Sequence, residues 1–222
     1  MNLIKEGQFL INVSDQVSEK VISYNDQTYY RFIDWIYSPK PVYFLSPNEV
    51  NELCEIRLKH RSRINYCFHE SIAMDVFKEA DLVKNDCRQL SILDFGCGDG
   101  ISHSRFLKHF SNDKIFCCDM NKNALRNNPC DKKHLINPCG PLPYESDFFD
   151  IIISIFVMHF SIPCQMLSEL KRCLKGDGKF VFNIYGRFVA QQHLALKNSG
   201  FYLVSSKSAS EFEGHLIETW YK

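Results

Sequence analysis

The sequence predicts an α/β domain with a seven-stranded, mostly parallel sheet, an antiparallel last strand and helices on both faces. Two observations lead to this prediction. From about residue 90 onward, apolar runs typical of strands alternate with helical patterns, as in a parallel sheet that is covered on both faces. In addition, the stretch Ile92–Gly100 contains an apolar strand, an acid and alternating glycines, which together predict a ligand cleft between a strand and a helix.

Each predicted strand is an apolar run bounded by polar or turn-forming residues. The strands are Leu90–Phe95, Lys114–Asp119, Lys133–Ile136, Asp150–Ile155, Lys179–Ile184, Phe201–Ser206 and His215–Tyr221. The predicted helices are Ser102–Phe110, Lys122–Asn127, Gln165–Leu174 and Val189–Asn198. A short polar loop with Gly214 joins the last two strands and leaves no room for a crossover helix, so we expect them to form a hairpin.

An N-terminal accessory segment, residues 1–60, precedes the main domain, which we expect to span residues 61–222. The segment is rich in aromatic residues, and two interpretations of them stay open. The rings pack in a core, or they close over the open end of the ligand site as a lid, with Tyr29, Tyr30 and Trp35 as the best candidates for contacts to an acceptor.

Two helix signals lie before the first strand of the sheet. Ser46 and Glu49 have the spacing of a capping box, which predicts a helix start at this point. Four apolar residues then recur every fourth position and predict one apolar helix face. They are Ile64, Phe68, Ile72 and Val76.

The glycine turn excludes two common nucleotide sites. Gly96, Gly98 and Gly100 alternate, whereas a dinucleotide fingerprint has two residues before its third glycine, and no Gly-Lys-Ser/Thr follows as in a phosphate loop. Asp94 and Asp99 would repel a pyrophosphate but suit a ligand with positive charge. S-adenosylmethionine carries a sulfonium and an amino group, so the turn favours this cofactor over NAD or ATP.

A second acid follows the next strand. Asp119 ends the run Ile115–Asp119, and in nucleotide-binding α/β folds an acid at this place accepts hydrogen bonds from ribose hydroxyls. The alternative is that Asp119 caps the helix that begins near Asn121. Met120 either covers one face of an adenine or belongs to the core.

The order of these motifs resembles that of class I S-adenosylmethionine-dependent methyltransferases, which have a Rossmann-like fold. Besides the glycine turn and Asp119, the resemblance rests on Leu142-Pro143-Tyr144, Ser146–Asp150, Asp150–Phe160 and Leu170–Lys179. It covers about Leu90 to Tyr185 well and the C-terminus loosely.

The resemblance implies a set of cofactor contacts at the ends of the first four strands of the sheet. The set comprises Asp94, Gly96, Cys97, Gly98, Gly100, Asp119, Met120, Asn137, Cys139, Ser154, Ile155 and Phe156. One departure concerns the adenine, because many relatives have an acid at the end of the third strand where this chain has Asn137-Pro138-Cys139. The Asn137 carbonyl oxygen and the Cys139 N–H are the groups that remain for adenine.

Three residues are candidates for catalysis. His159 follows the fourth strand, where the family often has a histidine near the acceptor, although a histidine beside Phe160 also fits a structural role. Tyr185 ends the fifth strand and His69 lies on the helix before the sheet. A general base is needed only for an acceptor such as a hydroxyl or a charged amine.

Composition and charge favour a small-molecule acceptor. The chain has 26 basic and 26 acidic residues, so no net field attracts a polyanion, and nucleic acid is an unlikely partner. The alternatives are an RNA or protein methyltransferase, or a cofactor-binding subunit without activity. An RNA or protein methyltransferase usually has an acceptor motif such as Asn-Pro-Pro-Tyr after the fourth strand. This chain has Ser154-Ile155-Phe156-Val157 at that place, which argues against methylation of an amide or a base amine of that type.

The remaining patterns suggest a cytoplasmic protein without metal. The 10 cysteines include no Cys-x-x-Cys or Cys/His spacing, so they predict neither a metal site nor a disulfide framework. Lys5 and Glu6 interrupt the N-terminus, which predicts no signal peptide, and the longest apolar run, Ile151–Phe160, is too short for a membrane span. The sequence predicts no particular oligomeric state.

Overall fold

The structure is a computed structural model that describes residues 2–14, 19–33, 35–83, 90–100, 114–211 and 213–222. The chain forms two units, Met1–Ser62 and Arg63–Lys222. The second unit carries the predicted glycine turn and the large sheet.

The first unit is an antiparallel sheet followed by a helix. Its strands are β1 (Leu3–Glu6), β2 (Phe9–Asn12), β3 (Val21–Tyr24), β4 (Gln27–Ile33) and β5 (Ile36–Ser38), in the spatial order β1-β2-β5-β4-β3. Short 3₁₀ turns, Val42–Phe44 and Arg61–Arg63, flank helix α1 (Pro47–Lys59). The predicted capping box at its start is confirmed, since the Ser46 N–H donates to Glu49 Oε2 at 2.6 Å and the Glu49 N–H donates to Ser46 Oγ.

The aromatic residues of this unit serve mainly its own core. Tyr29 is 2% exposed and packs with Leu10, Ile22 and Tyr37. Trp35 is buried, and its ring lies 5.6 Å from that of His60. For Tyr29 and Trp35 these contacts favour the packing interpretation over the lid, because a buried ring presents no face to an acceptor.

The second unit begins with helix α2 (Tyr66–Glu79) and continues into the large sheet. Its strands are β6 (Ile92–Phe95), β7 (Ile115–Asp119), β8 (Lys133–Leu135), β9 (Phe149–Ser154), β10 (Leu174–Tyr185), β11 (Tyr202–Ser208) and β12 (His215–Tyr221). The helices are α3 (Lys122–Asn127), α4 (Cys164–Cys173) and α5 (Val189–Asn198). The predicted helix Ser102–Phe110 lies outside the described residues.

The strand order in this sheet is β11-β12-β10-β9-β6-β7-β8. Neighbouring strands from β10 to β8 pair in parallel, and β12 is antiparallel to both β10 and β11. The predicted α/β fold, with its seven-stranded sheet and antiparallel last strand, is therefore confirmed. One boundary differs, because β10 starts at Leu174, which pairs with Phe149 before an irregularity ahead of Lys179.

The core of this unit joins α2 to the sheet. Ile72 and Val76 on α2 are fully buried and belong to one apolar cluster with Ile92, Ile115 and Ile153 from the central strands. Burying a side chain of this size contributes about 1.5–3 kcal/mol. This packing fixes the parallel strands, so the residues that follow β6, β7, β9 and β10 lie at one edge of the sheet.

Within the described parts of the chain, no helix has the length and apolar character that crossing a membrane requires.

Candidate active site

The turn after β6 has left-handed backbone at its glycines. Gly96 has φ of 73° and Gly98 has φ of 55°, values that L side chains rarely adopt. The N–H groups of Gly96 and Cys97 donate to the Cys118 carbonyl at 2.8 and 3.1 Å, which ties the turn to β7. A Cβ on Gly96 would lie 2.3 Å from Val157 Cγ2, whereas a Cβ on Gly98 would meet no atom of the described residues within 4 Å. Among the described residues, therefore, nothing blocks the approach of a ligand to the backbone at Gly98.

Asp119 connects this turn to the end of β7. Its Oδ2 accepts from the Gly98 N–H at 2.8 Å, and its Oδ1 accepts from the Asn121 N–H at 2.7 Å. Burial raises the pKa of the Asp119 carboxyl, against the lowering effect of these backbone donors. Each carboxylate oxygen keeps a further lone pair, so the group is able to accept from ribose hydroxyls while it holds Gly98.

Asp119 is not the helix cap. The N-cap of α3 is Asn121, whose Oδ1 accepts from the Ala124 N–H at 2.7 Å. The alternative role considered for Asp119 from the sequence is therefore wrong, since the cap lies two residues later.

Among the acidic residues of the site, Asp94 in β6 has the most unusual surroundings. Its side chain is 1% exposed, and Oδ2 accepts no hydrogen bond from any residue that the structure describes. Burial, with a smaller effect of Asp119, raises the pKa of the Asp94 carboxyl to about 7. A cation next to this carboxyl would offset its desolvation.

These features fit S-adenosylmethionine. Its positive charge suits the buried Asp94 carboxyl, its hydroxyls suit Asp119, and the open side of Gly98 admits a ligand against the backbone. A pyrophosphate would instead face two carboxyls in this turn.

At the end of β9, three of the predicted cofactor residues have different surroundings. Ser154 is fully buried, and its Oγ donates to the Phe95 carbonyl at 2.9 Å, so its side chain links β9 to β6. Ile155 is half-buried. Phe156 has φ of 60°, and its N–H donates to Asn183 Oδ1 at 2.7 Å.

Around Phe156 lies a set of rings that we call the ring cluster. It consists of Phe68, His69, Phe156, Tyr185 and His215. The Phe156 ring centroid lies 4.4 Å from that of His69 and 5.4 Å from that of Phe68, and His215 lies 4.7 Å from Tyr185. The structure thus brings together His69 and Tyr185, two of the three predicted catalytic residues. His159 lies at the margin, buried, 6.5 Å from the Phe156 ring and 4.5 Å from Phe160.

Two members of this region escaped the sequence analysis, Asn183 and His215. Asn183 is fully buried in β10 and its Nδ2 lies 3.5 Å from His215 Nδ1. Burial and the nearby Arg187 guanidinium lower the pKa of His215. A signal for Asn183 existed, because it is the one polar residue in the run Phe180–Ile184.

At the expected adenine end, the two predicted groups bind each other. The Cys139 N–H donates to Asn137 Oδ1 at 3.0 Å, and both residues are exposed. Adenine contacts through both groups would replace this hydrogen bond. Met120 is half-buried beside Asp119.

The described cysteines are free, and no group of three His, Cys, Asp or Glu residues in the described part of the chain is placed to hold a metal ion.

A family model described as a methyltransferase domain matches residues 93–182, the span from β6 into β10. Among solved structures, one match is a chain from the complex between the Haloferax volcanii Trm112 methyltransferase activator and the putative methyltransferase. It aligns with a TM-score of 0.60 at 14% identity, and the alignment covers 77% of this chain and 97% of that chain. A SAM dependent methyltransferase from Aquifex aeolicus aligns with a TM-score of 0.56 at 15% identity, covering 79% and 98%. These structures support the fold.

Two curated relatives are similar in sequence. The tRNA N(3)-cytidine methyltransferase METTL2 of Gallus gallus is 26% identical over 145 residues, covering 58% of this chain and 39% of the relative. The tRNA N(3)-methylcytidine methyltransferase trm140 of Schizosaccharomyces pombe is 32% identical over 143 residues, covering 57% and 47%. The chain therefore spans less than half the length of either relative.

These relatives contradict two predictions from the sequence. The small-molecule acceptor and the view of nucleic acid as an unlikely partner were inferred from composition and charge, yet both relatives are named as tRNA methyltransferases. The inference failed because net charge is a sum over the whole surface, whereas nucleic acid is bound by local groups.

Proposed function

Because this chain contains a domain of the class I S-adenosylmethionine-dependent methyltransferase family, we propose that it methylates RNA, with N3 of a tRNA cytidine as the acceptor. The observation that supports the acceptor is the similarity to two tRNA cytidine methyltransferases across the methyltransferase domain. The geometry at the ends of β6 and β7 supports the cofactor.

Three residues of the cofactor site have defined roles in this proposal. Gly98 leaves space for the cofactor against the backbone, and Asp119 holds this turn while it accepts from the ribose. Asp94 offers a buried carboxyl to the positive end of the cofactor. The cofactor supplies a methyl group on a sulfonium, so the lone pair of the acceptor nitrogen bonds to the methyl carbon while the electrons of the broken C–S bond stay on sulfur.

The proposed acceptor changes what catalysis needs from the protein. N3 of cytosine is a neutral ring nitrogen with a lone pair and no proton to lose, so no general base is required. His159, Tyr185 and His69 then have no proton to remove from the acceptor, and the chain contributes by holding the two reactants in line and excluding water. N3 lies on the Watson–Crick edge, so the cytidine must be unpaired when it reacts.

The direct test uses the full chain, unmodified tRNA transcripts and S-adenosylmethionine with a labelled methyl group. We expect label in the RNA, recovered as 3-methylcytidine when the digested nucleosides are separated by mass. As a control, Gly98→Val should abolish the label, because its side chain would occupy the space of the cofactor. Loss of label in this variant would show that the activity of the wild type does not come from a contaminant. Label that appears in protein or in another nucleoside, with none in cytidine, would contradict the proposed acceptor.

A further inference from the structure

We propose that the ring cluster is the pocket for the acceptor base, and that Arg187 at its rim contacts the phosphate of the same nucleotide. This inference rests on the proposed function, since it assigns the place where an unpaired RNA nucleotide binds. It gives His69 and Tyr185 a stacking role in place of proton transfer.

The position of the cluster relative to the cofactor turn is the first argument. β9 lies between β6 and β10 in the sheet, and Phe156 and Tyr185 are at the carboxyl ends of β9 and β10. Val157, next to Phe156, packs against Gly96 of the cofactor turn, because a Cβ there would lie 2.3 Å from Val157 Cγ2. The rings therefore adjoin the turn at the edge of the sheet where ligands of this fold class bind.

The second argument is the chemistry that the cluster presents. Phe68, His69 and Phe156 are half-buried, and Tyr185 is 37% exposed. An unpaired base is commonly bound by stacking on aromatic side chains, because every base has a π face. Arg187 lies over the Tyr185 ring at 4.8 Å, so a guanidinium adjoins the ring cluster. Guanidinium groups are well suited to phosphate.

The third argument is the strain at Phe156. A φ of 60° is uncommon for a residue with a large side chain, and strained residues cluster at functional sites. The buried Asn183 maintains this conformation through its hydrogen bond to the Phe156 N–H. The ring of this residue lies 4.4 Å from that of His69 and 5.4 Å from that of Phe68, so the strained residue is part of the proposed pocket.

The charge state of the pocket fits the reaction. Asn183 Oδ1 faces the Phe156 N–H, so its Nδ2 donor faces His215 Nδ1, which then acts as the acceptor of a neutral imidazole. Burial and Arg187 lower the pKa of His215, in agreement with a neutral ring. Methylation at N3 leaves the base with a positive charge, and aromatic faces stabilise a cation. A phosphate on Arg187 would offset the remaining positive charge at the rim.

The test compares Tyr185→Ala, His69→Ala and Arg187→Gln in the full chain with unmodified tRNA transcripts. We expect kcat/KM for the transcript to fall about tenfold in each variant, because a stacked base or a phosphate contact is lost. The dissociation constant of S-adenosylmethionine, measured by calorimetry, should stay within about twofold of the wild type. Unchanged thermal unfolding then separates this effect from a loss of the fold.

Two exposed residues serve as matched controls. Tyr202, 55% exposed on β11, and Arg126, exposed on α3, have the same side chains away from the ring cluster. Tyr202→Ala and Arg126→Gln should leave kcat/KM within about twofold.

The outcomes distinguish this proposal from the proposed function. If the wild type methylates transcripts and Tyr185→Ala and His69→Ala keep kcat/KM within about twofold, the pocket assignment is wrong while the function stands. If the wild type methylates proteins but no transcript, the proposed function is wrong, and with it the RNA pocket.

Discussion

At the scale of single residues, the two carboxyls of the cofactor site differ in what surrounds them. Asp119 accepts from two backbone N–H groups, whereas Asp94 is buried with an oxygen that accepts from none of the described groups. Asp119 therefore has a structural role that needs no ligand, whereas burial of the Asp94 carboxylate costs stability that a cationic ligand would offset.

Replacing Asp94 by Asn should stabilise the chain and weaken cofactor binding. The pKa of about 7 lies above the ordinary 3.8, so the folded chain holds this proton more strongly than the unfolded chain does. The contribution of Asp94 to stability is therefore complete below the ordinary value and is lost as the pH rises to about 7. At pH 8, Asp94→Asn should melt at a higher temperature than the wild type, and calorimetry should show weaker binding of S-adenosylmethionine.

The same pair measured at pH 4 is the control, since the folded wild type is then protonated at Asp94 and the two melting temperatures should differ much less than at pH 8. A variant that melts lower than the wild type at pH 8 would show that Asp94 has a stabilising partner.

Gly98→Ala isolates the open side of the cofactor turn. The new Cβ meets no atom of the described residues within 4 Å, so the expected cost to stability is backbone strain at φ of 55°, about 1 kcal/mol. Cofactor binding should fall about tenfold or more, because the methyl group occupies the space of the ligand. Gly176→Ala is the control, since a Cβ there also meets no atom of the described part of the chain and its φ is not in the left-handed region. Equal cofactor affinity in both variants would show that no ligand approaches Gly98.

At the scale of elements, two nearby residues between β7 and α3 have separate functions, one in holding the glycine turn and one in capping the helix. Asp119 binds the turn of β6 through Gly98, and Asn121 caps α3 through Ala124. Strand, turn and helix are thus held by separate side chains within three positions.

Substitution of each residue should separate these tasks. Asn121→Ala removes the cap and should lower the free energy of unfolding by about 1 kcal/mol, with cofactor affinity changed less than in Asp119→Ala. Asp119→Ala should weaken cofactor binding by about 1.5–3 kcal/mol, the usual value for hydrogen bonds to a charged group. Denaturant unfolding and calorimetry on both variants provide the comparison, and the idea fails if Asp119→Ala binds the cofactor as tightly as the wild type.

The elements also show the reach of prediction from sequence. The strands of the large sheet were predicted because each contains an apolar run and because these runs alternate with helical patterns along the chain. The sheet of the first unit was not predicted, because its apolar residues do not alternate with polar ones as in a half-buried strand. In β4, for example, Tyr29 and Tyr30 are adjacent. Two aromatic residues of the first unit, Tyr29 and Tyr37, proved to be core residues of that sheet.

At the scale of the whole molecule, the proposed acceptor pocket predicts how salt affects binding of a tRNA transcript. The pocket combines several rings with one guanidinium, that of Arg187, so few phosphate contacts and much base stacking are expected. We therefore expect the logarithm of the binding constant for a tRNA transcript to fall with the logarithm of salt concentration at a slope of about −2, as for about three contacts.

Titrations at several salt concentrations provide this slope, and Arg187→Gln should reduce it by about one contact, or 0.7. A slope several times steeper would show that phosphate contacts, and not stacking, dominate binding.

The sequence by itself determined the sheet, the glycine turn and the acids beside it, because these depend on residues that are neighbours along the chain. Only the tertiary structure decided which side chains meet at the proposed acceptor pocket. Tyr185 and His215 are 30 positions apart, and the antiparallel register of β10 and β12 makes them direct partners. Helix α2 brings His69 to Phe156 from another part of the chain. Such contacts depend on pairing register and helix packing, which no local pattern encodes.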